Sequence, residues 1–337
     1  MLYSTRFCAR QRFIFEAVQR LRSYCFILDY YPLLMRLFNP TASVAKGDQL
    51  APGWLKSGWL YLMLLPALVW GFSSLSVERS VASVLLTVFT VGLGHSIGLH
   101  RGIIHRSYRC SRLLRGVLAY CFVHSGLGGP LSWVRVHYFR DYWQNRPDCP
   151  AYFRYDHSLW QDYAWNLHLA LRPADEARYA IPAEDLHDPW LRFLERTWYW
   201  HVLGAAALIW SVFSFEAMIV CVCVRISVTI LGHWFVGFVS HKYGYARYDI
   251  DQATEHGYNN FVLGALSFGE GFHNNHHAHP SSAKMSTAWY ELDLGWYLIA
   301  TLRALGLVWD VQVVGQTPTQ KPQAKARAYR WHWPWQE

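Results

Sequence analysis

Long apolar runs separated by very short polar turns dominate the pattern of this chain. A helix needs about 20 mainly apolar residues to cross a hydrocarbon core. Four stretches meet that length: residues 59–75, 80–99, 197–215 and 217–240. The first two are separated only by the turn around residues 77–79, and the last two only by the turn around Glu216. Each pair therefore predicts an antiparallel helical hairpin. A fifth uncharged run, residues 116–134, is long enough to cross but contains Gly-Leu-Gly-Gly-Pro at 126–130, which weakens a regular helix. It is read as interfacial or re-entrant, since a crossing there would put His100 and His105 on the opposite membrane face from His137. The expected fold class is all-α and integral to the membrane, with four transmembrane helices in two hairpins and a cytosolic helical cap. The block between the second and third spans, with everything after the fourth, makes that cap.

Composition agrees with a membrane class. Of 337 residues, 53% are hydrophobic and only 16% charged, a balance uncommon in soluble globules. Aromatics reach 17%, with 18 Trp and 21 Tyr, and such rings favour the bilayer interface. The net charge of +8 suits either nucleic acid or an anionic membrane, and its distribution decides between them. Basic residues cluster at Arg6, Arg10, Arg12, Arg20 and Arg22, at 101–115 and at 321–330, with long uncharged runs between. That suits membrane loops, and no nucleic-acid partner is expected. The clusters precede span one and follow spans two and four, all on one side, which the positive-inside rule makes the cytoplasm. Both termini and the active site are expected there. Seven scattered cysteines without a Cys-x-x-Cys spacing read as small buried residues in a reducing compartment. Arg12, Glu16, Arg20 and Arg22 interrupt every early apolar run, so no cleavable signal peptide is expected. Residues 1–55 read as a basic, aromatic extension, either helical on the membrane surface or poorly ordered. Residues 56–310 form the membrane domain, and 311–337 a basic, aromatic tail.

Candidate chemistry lies in the histidines. Of 17, nine fall where this topology brings them to one membrane face: His95, His100, His105, His137, His233, His241, His273, His276 and His277. Imidazole is the common nitrogen ligand for iron, zinc and copper. In Gly-Glu-Gly-Phe-His-Asn-Asn-His-His, positions 273, 276 and 277 are spaced i, i+3 and i+4, which sets the first against both others on one helix face. Three neutral nitrogens can thus converge on adjacent metal ions, against the plainer reading of satisfied surface histidines. His100 and His105 are five apart, about 140° around an α-helix of ~3.6 residues per turn, so they should serve different metals or sit where the helix frays. His233, Gly237 and His241 form a stripe on span four that ends at the cytoplasmic boundary. Ionisable groups in a span are costly and usually face a bundle interior. Depth favours His241 as a ligand and leaves His233 and His95 as neighbours of the site. Arg225, deeper still, is expected to pair with a carbonyl or to support helix packing.

The two motifs His100-Arg-x-x-x-His105-Arg-Ser-Tyr and Gly-Glu-Gly-Phe-His273-Asn-Asn-His276-His277 resemble the first and third histidine boxes of the membrane fatty-acid desaturases, acyl-CoA desaturases in particular. The resemblance covers about residues 55–310. It implies a four-span, mushroom-shaped fold with a non-haem centre of two iron ions, molecular oxygen as oxidant and a long acyl chain bound in a tunnel. It also implies a separate electron donor of ferredoxin or cytochrome b5 type with its reductase. By the same similarity His241 matches the isolated ligand histidine after span four.

The pattern departs from that family in two places. The second box, His-x-x-His-His there, reads His137-Tyr-Phe-Arg140-Asp141 here, resembling a bacterial branch with His-x-x-Arg-Asp. Arg140 stays protonated and cannot bind a metal, whereas Asp141 offers a hard oxygen. The alternative is an ion pair of Asp141 with Arg140 or Arg135. At Gly237, acyl-CoA desaturases carry an asparagine thought to hold a metal-bound water. The expected metal ligands are therefore His100, His105, His137, Asp141, His241, His273, His276 and His277. His95, His233, Glu270, Asn274 and Asn275 are expected around them, the last three orienting the imidazoles.

The expected reaction is oxygen-dependent desaturation of a long acyl chain, as acyl-CoA or lipid-linked fatty acid, with no catalytic side chain beyond the metal centre and no organic cofactor. A hydroxylase on the same scaffold is the near alternative, and a non-catalytic membrane scaffold, prompted by the altered second box, the distant one. A hydrolase is disfavoured, because no His-Glu-x-x-His zinc motif occurs.

Overall fold

The computed structural model describes residues 44–250 and 253–314 with their side chains, and 324–332 by backbone alone. Most of the N-terminal extension and parts of the C-terminal tail lie outside the described residues. The chain opens with β1 (Gln49–Pro52) and helix α1 (Trp54–Trp70). A single long helix, α2, follows over Val77–Ile104. Then come β2 (Arg109–Cys110), α3 (Arg112–Val123), α4 (Pro130–Gln144), α5 (Leu159–His168), β3 (Leu169–Arg172) and the one-turn α6 (Ala183–Leu186). Helix α7 spans Pro189–Val212 and α8 spans Phe215–Ser240. The chain ends with β4 (Gly244–Ile250), α9 (Phe261–Leu266), α10 (His273–Ala278), α11 (Leu294–Ala304), β5 (Val308–Trp309) and β6 (Ala324–His332).

Helix boundaries follow local chemistry. Ser76 caps α2 by accepting from Arg79 N, and Ser214 caps α8 by accepting from Ala217 N. Asp188 accepts from Trp190 N and Leu191 N ahead of Pro189, a proline placed where its missing N–H costs nothing. Pro130 starts α4 in the same way, and Glu195 of α7 accepts from Leu131 N at 2.8 Å and Ser132 N at 3.0 Å. A carboxylate at a helix N-terminus also suits the helix dipole, so α4 is fixed to α7. The four apolar stretches all fall on helices, and α2 and α8 are each long and apolar enough to cross a membrane. The fifth run does not make one helix: it is divided between α3 and α4 by a turn in which Gly126 and Gly128 take φ of 76° and 117°.

The core between these helices joins Trp59, Phe122, Leu191, Leu194, Trp198 and Ile226, with Trp59 and Trp198 in edge-to-face contact at 4.7 Å. Arg225 donates to Cys221 O, Thr90 Oγ1 and His124 O, the carbonyl pairing expected of it. Three helical layers are tied by that one side chain, and each such buried donor left unmade would cost about 1–3 kcal/mol. Large apolar side chains meanwhile face outward on α1, α2, α7 and α8, among them Leu65, Leu68, Val84, Leu208, Trp210 and Val228.

Among the described residues three antiparallel pairs, β1–β3, β2–β5 and β4–β6, add to the all-helical expectation. The first two pairs, of two to four residues a strand, are too short to show a period of two in the sequence. The last matters most, because β4 is the ledge on which α10 rests.

Candidate metal centre

Helix α2 changes register on its way to the site. From Val88 to Ile104 it is a π-helix, with His105 N donating to His100 O at 3.0 Å, five residues back. Widening the turn brings residues spaced i and i+5 onto one face, so His95, His100 and His105 line up. This corrects the ~140° separation that an α-helix would impose. The close approach of α3 accompanies it: a Cβ at Gly94 would stand 2.3 Å from Phe122 N, and one at Gly98 2.7 Å from Leu118 Cβ.

Two groups of histidines result. His100, His105, His137 and His276 form the first, and His241, His273 and His277 the second; within each group the prospective ligand nitrogens all lie within 4.8 Å of one another. Nε2 of His100 and Nε2 of His105 are 3.1 Å apart. His273 Nε2 stands 2.9 Å from His241 Nε2 and 3.0 Å from His277 Nε2. The third box is thus divided, His276 turning to the first group and its two companions to the second. Burial first, and then the crowding of neighbouring imidazoles, holds His273 and His276 well below the ordinary histidine range and His277 at about 3. Neutral rings packed nitrogen to nitrogen cannot all satisfy one another by sharing protons. Their lone pairs converge as a cation would require, so the donor set fits borderline transition metals such as iron.

Three carboxylates lie against this arrangement, two at the first group and one at the second. Glu270 Oε2 stands 2.6 Å from His100 Nδ1, Asp141 Oδ2 3.2 Å from His137 Nδ1, and Glu255 Oε1 3.2 Å from His241 Nδ1. These are ion-pair distances outside full hydrogen-bond alignment, since the three ring nitrogens lack an aligned partner. Such carboxylates orient metal-binding imidazoles and raise their basicity. Asp141 stands outside both groups as the neighbour of His137. Burial acts against its charge, yet His137 brings its carboxyl down to about 2. The alternative ion pairs are not formed: Arg135 pairs with Glu176, and Arg140 turns to Tyr155 and Asn166. Glu270 also accepts from Ser96 Oγ at 2.5 Å.

His95 and His233 sit outside both groups, their rings 4.7 Å apart and both against Trp133. Asn274 holds backbone, and Asn275 holds backbone and two polar side chains; neither bonds an imidazole, which corrects the role expected of them. Asn274 Oδ1 accepts from Arg247 N and Tyr248 N, and its Nδ2 donates to Tyr248 O, fastening α10 to β4. Asn275 donates to Met285 O and Glu291, and exchanges bonds with Asn259. Their partners lie off the histidine face of the short helix, on β4, Asn259, Met285 and Glu291.

Several contributors carry no signal in the sequence. Glu255 approaches from a loop, with its carboxyl pushed up to about 7 by burial. Tyr155 stacks on His241 at 4.3 Å between ring centres. Arg101, part of a basic cluster that suggests a cytosolic surface, is instead fully buried. It donates to Phe268 O at 3.0 Å and to Asp293 Oδ1 at 3.1 Å, anchoring the segment that leads into α10.

Comparison with known proteins places this geometry. The fatty acid desaturase family profile matches residues 79–312. An acyl-CoA 5-desaturase of Anemone leveillei is 31% identical over 243 residues, covering 70% of this chain and 73% of that one. A sn-1 stearoyl-lipid 9-desaturase of Synechocystis is 27% identical, covering 85% and 89%. The delta-9 acyl-lipid desaturase 2 of Arabidopsis thaliana is 30% identical, covering 68% and 74%. The chain belongs to the fatty acid desaturase family, oxidoreductases that desaturate fatty acyl chains in lipid metabolism.

Proposed function

We propose that this protein desaturates a long acyl chain, carried on coenzyme A or on a lipid, at a non-haem centre of two iron ions. His100, His105, His137 and His276 would hold one ion, and His241, His273 and His277 the other. The observation that carries this reading is the convergence of seven imidazoles, four of them buried and three half-buried, into two adjoining groups despite the altered second box. That convergence also weighs against a non-catalytic scaffold.

The chemistry a pair of iron ions supplies there is activation of oxygen and removal of hydrogens from neighbouring methylenes. Overall, one oxygen molecule, two electrons and two protons convert the saturated pair of carbons to an alkene and two waters. A separate ferredoxin or cytochrome b5 type donor with its reductase would supply the electrons. The chain's own residues do the rest. Neutral rings offer nitrogens at no protonation cost, Glu270, Asp141 and Glu255 orient three of them, and Arg101 with Asp293 fixes the approach to α10. Burial of His100, His241, His276 and His277 limits water around those rings, which strengthens electrostatic interactions there.

In the membrane, α1, α2, α7 and α8 would make four spans in two hairpins, with the histidine end and both termini in the cytoplasm and the catalytic domain over residues 56–310. The outward-facing apolar side chains on all four helices support this, since contiguous exposed apolar surface signals a lipid or protein partner. Expression with a suitable reductase, followed by mass spectrometry of lipids and metal analysis, tests the proposal. New double bonds in wild type that vanish in His276→Ala are expected, with about two iron ions per chain. Zinc alone, no metal, or hydroxylated products would refute it.

A further inference from the structure

Three residues far apart in the chain meet beside the three-histidine group. Arg140 of α4 donates through Nη1 to Tyr155 Oη and through Nη2 to Asn166 Oδ1. Asn166 in turn donates to Asp162 at 2.8 Å, and that buried carboxylate also takes Trp234 Nε1 and His157 Nε2, each at 2.6 Å. The guanidinium is therefore held by a buried network with its counter-charge close by. Tyr155 lies parallel to His241, their planes within 8°. Among the described residues beyond Gly237's own helix, the Tyr155 hydroxyl is the one atom within 4 Å of where a Cβ on Gly237 would stand, at 3.6 Å, one helical turn before His241.

The hydrogen-bond inventory of that phenol is incomplete. A phenolic oxygen can accept one bond and donate another. Arg140 can only donate, so it occupies the accepting side. The O–H of Tyr155 then has no acceptor among the described residues, although the side chain is 7% exposed. Buried donors are ordinarily paired. An unpaired one beside a group of three metal-competent nitrogens, which leaves coordination positions open, is placed for a ligand that arrives from outside the protein.

We propose that Tyr155, aimed by Arg140 and given room by Gly237, is a positioning residue that donates a hydrogen bond to a small anion or oxygen ligand at the open side of the His241, His273 and His277 group. Arg140 then serves the centre without binding metal, and the altered second box is a rebuilt one. The inference rests on the metal-centre reading above.

The test uses full-length protein in detergent, loaded with Co²⁺ and titrated with azide while the visible spectrum is followed. Tyr155→Phe keeps the ring stacked on His241 and removes the hydroxyl. Cobalt content should stay at the wild-type level while the azide Kd rises about tenfold, the scale of one hydrogen bond to a charged acceptor. Gly237→Asn puts side-chain atoms into the space the hydroxyl holds and should weaken azide similarly. The double variant should lose no more than either single one, because both act on the same bond. An azide Kd within twofold of wild type in Tyr155→Phe with full cobalt content overturns the inference alone. Loss of cobalt in that variant also overturns it, by making Tyr155 a support of the metal site. Wild-type protein that takes up no cobalt overturns the metal-centre reading and this inference with it.

Discussion

Gly94→Ala tests how helix packing makes the metal centre. A Cβ there would stand 2.3 Å from Phe122 N, 2.5 Å from Cys121 C and 2.7 Å from Phe122 Cα. Carbon contacts are comfortable at about 3.5–4.0 Å, so relief needs α2 and α3 to part by roughly 1 Å. All three atoms are backbone, so no side-chain rotation can provide that relief. Overpacking of this kind costs about 1–3 kcal/mol, and α2 carries the displacement to His100 and, at its C-terminal end, His105. Metal–ligand distances tolerate only about 0.2 Å, so the same shift should open the first group, whose other members, His137 and His276, come from α4 and α10. The expected result is a thermal midpoint lower by several degrees, at about 2–4 °C per kcal/mol for a protein of this size, with roughly half the iron lost. Thermal unfolding in detergent and metal analysis measure both. Gly204→Ala is the control, because nothing lies within 4 Å of a Cβ at that position, and its midpoint should not fall. A Gly94→Ala protein with the wild-type midpoint and full iron would refute the argument.

Glu270→Gln and Glu255→Gln should each weaken metal binding about 10–100-fold in chelator competition, the usual cost of losing an orienting carboxylate, with the fold retained by circular dichroism. Arg101→Leu should destabilise by about 3–5 kcal/mol, because Asp293 is left buried without its cation. If its thermal midpoint matches wild type, the anchoring role is wrong. Glu291 is held below the ordinary carboxyl range: burial raises it, but Tyr245 and the Thr287 and Ala288 amides outweigh that. A depressed carboxyl adds stability above its unfolded value of 4.5 and loses it as pH falls below. Glu291→Gln should therefore be less stable than wild type at neutral pH and converge with it in acid. Parallel stability curves from pH 3 to 7 would count against this.

Much of this architecture is legible in the sequence because lipid and metal chemistry are strict. A long apolar run is easily read, so residues 59–75, 80–99, 197–215 and 217–240 fall almost entirely on helices, two of which are long and apolar enough to cross a membrane. Imidazole clusters are legible in part: type and topology single out nine histidines, and the resemblance to the desaturases narrows them to the seven that form the two groups. What the sequence does not display is whatever depends on non-local packing. The π-register of α2 arises where small residues admit α3 at close range, and periodicity at 3.6 then misjudges His100 and His105. Asn274 and Asn275 sit inside the most specific motif, yet they bind β4 and the Met285 segment. Their role depends on where distant segments of the chain come to lie, which spacing within the motif does not reveal.

Arg140 shows why a broken motif is a poor measure of a broken site. Read along the chain, it removes a ligand and leaves a cation beside metals, which argues against catalysis. In the folded protein its charge is met by Asn166 and Asp162 and spent on Tyr155, while the seven imidazoles still converge. A decaying site would be expected to lose several such features independently, since buried unpaired charges are strongly destabilising. Here Arg140, Tyr155, Asn166 and Gly237 fit one another on four separate segments. Mutual accommodation of that kind favours a centre retuned for its reaction over one in the course of being lost.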